Sequence, residues 1–90
     1  MDLSDYRVQI DEVDAELLKL FEKRLRIAEG IAVWKKEHGV PVLDETREQQ
    51  KLAGISSAAD EELEPFVQEL FRQTMAVSRA YQKTFAEQEE

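Results

Sequence analysis

From Leu3 to Glu37 the chain contains no proline, and Gly30 is its only glycine. This uninterrupted stretch predicts one long first helix. Some 35 residues at 1.5 Å each give a helix about 50 Å long, whereas a compact chain of 90 residues is only about 30 Å across. The rest of the chain is too short to bury such a helix along its length. Apolar residues nevertheless recur along it, at Val13, Leu17, Leu20, Phe21, Ala28 and Ile31, so a second chain is expected to cover it. An obligate homodimer is the expectation from this mismatch of lengths.

Two cations, Arg24 and Lys35, interrupt the apolar stripe from within. At about 100° per residue, the eleven steps between them make three turns plus roughly 20°, so both point the same way. Arg7, seventeen residues before Arg24, faces roughly 100° away. Burying an unpaired charge is costly, so cations on a core-facing stripe require an anionic partner, either protein or ligand.

The net charge of −8 and the pI of about 4.7 argue against nucleic-acid binding, which needs a basic face, and against attraction to anionic lipid. With no cysteine there is no disulfide framework and no Cys-rich metal site. The polar N-terminus MDLSDYRVQID is not a signal peptide, and no run is apolar enough to span a membrane. A cytoplasmic location is the expectation.

Ser4 is the expected N-cap of helix 1, with Asp5 in the first turn where its charge suits the helix dipole. Gly39 is the expected left-handed cap, and Pro41 prevents continuation. Asp44 then caps a short second helix, expected over Glu45 to Gly54. Ser56 to Glu62 reads as a connection. Pro65 fits the first turn of a third helix reaching about Glu87, with an apolar stripe at Val67, Leu70, Phe71, Thr74, Met75, Val77, Tyr81 and Phe85. Ser78 and Gln82 lie one turn apart on that face, and Glu87 to Glu90 are expected to fray. The fold class is all-α, three helices in long–short–long order.

If the three helices pack together, Arg24 and Lys35, then Asp44, Arg47 and Glu48, then Ser78 and Gln82 converge on one pocket, suited to a small hydroxylated dianion. Singly, each residue has a plainer account. Arg24 can snorkel, and Lys35 can favour the helix dipole. Asp44 can simply be a cap, Arg47 and Glu48 surface charges, and Ser78 and Gln82 partners across a helix interface. Arg7 can pair with Asp11 at i,i+4. His38 reads as a loop residue and Trp34 as a packing residue.

Three stretches taken together go further: YRVQIDEVDAELLKLFEKR, IAVWKKEHGVPVLDETREQQ and FRQTMAVSRAYQ. The first has an arginine at each end around I-D-x-x-D and L-L. The second has a lysine before a V-P-V turn, then D-x-x-R-E. The third has serine and glutamine one turn apart. In this order and spacing the chain resembles the all-α, AroQ-type chorismate mutases over essentially its full length, residues 1–90 forming one helical domain. The link ISSAADEELEP is short for that family and carries an acidic run, but touches no matched position.

The resemblance implies an intertwined homodimer in which the long first helices pair. It implies that Arg7, Arg24, Lys35, Asp44, Arg47, Glu48, Ser78 and Gln82 bind substrate, with Arg7 donated across the interface. The implied reaction is the intramolecular [3,3] rearrangement of chorismate to prephenate in aromatic amino-acid biosynthesis, with no cofactor and no metal. Arg7 of the partner chain and Arg24 would clamp the two carboxylates. Lys35 and Gln82 would donate to the ether oxygen, Glu48 would orient the ring hydroxyl with help from Asp44 and Arg47, and Ser78 would contact a carboxylate. Any feedback control would come through a partner enzyme. Two rivals are an isochorismate-pyruvate lyase, which shares the fold and the Arg/Arg/Lys/Gln clamp, and a non-catalytic helical dimer module. The acidic pair Asp44 and Glu48 favours the mutase over the first, and the full set of eight matched residues disfavours the second.

Overall fold

A computed structural model describes residues 1–86. Helix α1 spans Leu3–His38. Its start differs from expectation: the cap is Asp2, and Ser4 lies inside the helix. The reason is reciprocity. The Asp5 amide donates to Asp2 Oδ1 at 3.1 Å, and the Asp2 amide donates to Asp5 Oδ2 at 3.0 Å, so two otherwise orphaned donors are satisfied together. The end is as expected. Gly39 takes φ 68° and ψ 29°, and the next amide, of Val40, donates back to the Lys35 carbonyl at 2.8 Å.

A Cβ built on Gly39 would meet nothing within 4 Å. Any cost of substitution is therefore backbone strain alone, about 1–2 kcal/mol for a left-handed L-residue. Gly39→Ala is expected to lower the thermal unfolding midpoint, measured by circular dichroism, without introducing a clash.

Helix α2 spans Glu45–Ala58, with Asp44 accepting from the Arg47 amide as its cap. It runs four residues past the expected stop at Gly54. A glycine costs a helix only about 1 kcal/mol relative to alanine, and the residues beyond Gly54 anchor the extra turn. Ile55 is half-buried, and Gln68 of the third helix donates to the Ser56 hydroxyl. The expected connection therefore shrinks to Ala59 and Asp60 plus a short 3-10 helix, Glu61–Leu63. Helix α3 spans Glu64–Ala86, with Pro65 in its first turn, where a missing amide costs nothing. The fraying expected of Glu87 to Glu90 lies outside the described residues.

Helix α3 packs on both α1 and α2, and among the described residues these two do not pack on one another. The result is long and thin, 56 × 26 × 14 Å with a radius of gyration of 16.4 Å, against about 12 Å for a compact chain of this length. The apolar residues buried in one chain are Ala28, Ala32 and Met75. The outer half of α1 is exposed along its whole length; Val13, Leu17 and Leu20 are 55%, 52% and 63% exposed. Among the described residues no helix is long and apolar enough to cross a membrane.

Candidate active site

The divergence of α1 and α2 on either side of α3 opens a cleft of about 410 Å³. Each helix lines it with residues three and four apart, the spacing of one helix face. Helix α1 contributes Arg24, Ile27, Ala28, Ile31 and Lys35; α2 and its cap contribute Asp44, Arg47, Glu48 and Lys51; α3 contributes Met75, Ser78, Arg79 and Gln82. Val42, in the loop between α1 and α2, completes the wall.

Seven of the eight residues predicted from sequence meet here: Arg24, Lys35, Asp44, Arg47, Glu48, Ser78 and Gln82. Arg7 does not. It lies exposed on the outer half of α1, about 25 Å along the helix from Arg24, and among the described residues it does not pair with Asp11. Two charged lining residues were missed, Lys51 and Arg79. Lys51 sits at i+4 from Arg47 and i+3 from Glu48, so continuing the α2 face by one turn would have found it. Arg79 follows Ser78 directly and reads in sequence as an ordinary flanking charge. His38 is the last residue of α1 rather than a loop residue. Trp34 is 53% exposed, and its ring stacks on His38 with centroids 3.9 Å apart.

The cleft is cationic on an acidic chain. Five cations, Arg24, Lys35, Arg47, Lys51 and Arg79, face two carboxylates, Asp44 and Glu48, an excess of three positive charges where the whole chain carries −8. Few of these cations are spoken for. Arg79 pairs with Glu48, and the Asp44 carboxylate is engaged as the α2 cap, accepting from the Arg47 amide at 3.0 Å. Lys35 Nζ donates to the Val42 carbonyl at 2.9 Å, leaving two ammonium hydrogens for other acceptors. Among the described residues the side chains of Arg24, Arg47 and Lys51 have no ion-pair partner.

Ser78 and Gln82 are buried, at 6% and 8% exposure, so their polar groups need partners inside the protein or from a ligand. Gln82 Nε2 donates to Ser78 Oγ at 3.2 Å, while among the described residues Gln82 Oε1 is buried without a partner. Turning the amide by half a rotation lets the Ser78 hydroxyl donate to Oε1 and frees Nε2 as a donor for a ligand. The floor of the cleft thus holds a hydrogen-bonding capacity that its own side chains do not exhaust.

This fold and cleft define a class: an all-α protein whose three helices surround a cleft of net positive charge, with buried hydroxyl and amide groups at its floor. The family model for chorismate mutase type II matches residues 6–83, and the chain belongs to that family. The T-protein of Haemophilus influenzae is 30% identical over 92 residues, taking in 92% of this chain and 22% of the relative. A chorismate mutase of Methanocaldococcus jannaschii is 39% identical over 46 residues, 51% of this chain and 46% of the relative. The chain therefore spans about a fifth of the first relative and under half of the second. No solved structure matches it at a significant level.

Proposed function

We propose that residues 1–90 act as one chorismate mutase domain, converting chorismate to prephenate. The observation that carries this reading is the meeting of seven matched residues in one cleft of excess positive charge. The reaction breaks the ether C–O bond and forms a C–C bond within one molecule, so no atom is gained or lost. The protein must hold a dianion in a compact, chair-like conformer and stabilise the charge that develops on the ether oxygen.

In this reading Arg24 clamps one carboxylate, and Ser78 assists it. Lys35 and Gln82 donate to the ether oxygen, and Lys35 also lies near a carboxylate. Glu48 accepts from the ring hydroxyl, with Asp44 and Arg47 shaping that end of the cleft. Arg7 of a second copy closes the site on the remaining carboxylate, within an intertwined homodimer whose paired α1 helices cover the exposed face at Val13, Leu17 and Leu20. The thin shape and the sparse core of one chain support that assembly.

The direct test mixes the protein with chorismate and follows loss of its absorbance, with the product identified by chromatography. Prephenate without pyruvate is expected. Pyruvate release from isochorismate, with chorismate untouched, would replace this reading with the lyase.

Gln82 gives a sharper expectation. A neutral amide donates at any pH, but the carboxyl of Gln82→Glu donates only while it holds its proton. Carboxyl protons are lost as pH rises through roughly 4–5 and above. The rate of Gln82→Glu relative to wild type should therefore rise as pH falls. A flat ratio across the pH profile would remove Gln82 from the ether oxygen.

A further inference from the structure

Glu48 is the one carboxylate in the cleft not engaged as a helix cap, and what holds it is a residue of another helix. Arg79 Nη1 of α3 donates to Glu48 Oε1 of α2. The two side chains are 30% and 24% exposed, so the pair is partly withdrawn from water and its geometry is not simply dissolved by solvent. A competitor stands close by. Lys51 lies at i+3 on the same helix, a spacing that brings side chains together, and it lines the same cleft. Among the described residues Glu48 is paired with Arg79 and not with Lys51.

The choice of partner has a geometric consequence. A glutamate has three rotatable side-chain bonds and, when ionised, can only accept. With Oε1 taken by Arg79, Oε2 is left for a ligand hydroxyl. Because Arg79 sits beside Ser78 and one turn before Gln82, the helix carrying the buried donors also fixes the acceptor on α2.

From this arrangement we infer that Arg79 is a positioning residue, aiming Glu48 at the ring hydroxyl of the substrate without touching the substrate itself. The inference rests on the chorismate mutase reading. Removal of Arg79 frees Glu48 to fold back on Lys51, and the hydroxyl loses its acceptor while the carboxylate clamp remains.

The test compares chorismate with an analogue in which hydrogen replaces the ring hydroxyl, the analogue's affinity being read as competitive inhibition. Turnover of chorismate by the wild type checks the premise first; its absence would count against the mutase reading before any variant is made. Given turnover, Arg79→Met is expected to lose about tenfold to a hundredfold in kcat/KM with chorismate, the usual range for a hydrogen bond to a charged group. The analogue, which has nothing to offer Glu48, should lose several-fold less affinity. Arg79→Lys should recover part of the loss. In a Glu48→Gln background, Arg79→Met should add little, because the group it aims is already altered. Equal losses for chorismate and the analogue, or full additivity with Glu48→Gln, would overturn the inference and make Arg79 a general cation of the cleft. Circular dichroism of each variant separates these outcomes from misfolding, and the conservative Arg79→Lys keeps the test open if Arg79→Met does not fold.

Discussion

Replacing Lys35 with alanine is expected to lower kcat with chorismate by about two to three orders of magnitude, the cost of losing one preorganised donor at a developing oxyanion, roughly 2.7–4 kcal/mol. The expectation rests on where the ammonium sits. Lys35 is half-buried, on the same face of α1 as Arg24, with its Nζ fixed by the Val42 carbonyl at 2.9 Å. That bond holds the donor in place before substrate arrives, so little reorganisation is needed during the reaction. The same bond ties the α1–α2 loop, so Lys35→Ala should also lower stability, by the roughly 0.5–1.5 kcal/mol typical of one hydrogen bond, or somewhat more because the donor is charged. The two effects are separable. Steady-state kinetics at saturating chorismate reads the first, and a urea melt reads the second. A variant with near wild-type kcat and a reduced melt midpoint would show that Lys35 serves the loop alone.

The second large effect concerns Arg7. A helix is stiff, so an exposed side chain about 25 Å along α1 from Arg24 cannot fold back onto its own cleft; if it serves a site, that site belongs to another copy. Arg7→Ala and Lys35→Ala should each be nearly silent alone. Mixed and allowed to exchange subunits, they should regain activity. Random exchange makes about half of the dimers mixed, and in each of these one site receives both native residues, so about a quarter of all sites are restored. Exchange is verified by native mass spectrometry with one variant tagged. Complete exchange with no regain would place Arg7 outside the catalytic site.

The order of elements was legible in the sequence because punctuation dominates it: Gly39 and Pro41 end α1, Asp44 opens α2 and Pro65 opens α3. Boundaries failed where the deciding partner was remote or reciprocal. Asp2 outcompetes Ser4 because Asp5 answers it, and α2 passes Gly54 because α3 grips Ser56 from outside. The site divides in the same way. Arg24 and Lys35 stand out as charges set within an apolar stripe, and Ser78 and Gln82 as polar groups on the inner face of α3. Lys51 and Arg79 look like any solvated helix charge. Their place is decided by how α2 lies against α3, and Arg79 gains its meaning only from the choice Glu48 makes between two cations. The family resemblance did not supply them either, since it carries over only matched positions.

Ala28 belongs at once to the buried contact of α1 and to the lining of the cleft, and Ala32 lies one turn further on. An alanine has no side-chain rotamers, so a wall built from it loses no conformational entropy when a ligand settles against it. Small side chains also let two helix axes approach toward the near end of the usual 8–10 Å range. The width of the cleft at that point is then set by the separation of two backbones and not by the rotamer of a long side chain. At Ala28 the wall has no rotamer by which to relax around a slack, extended conformer of a bound molecule. In the proposed reading, that stretch of wall favours the compact conformer by shape, before any charge on Arg24 or Lys35 is counted.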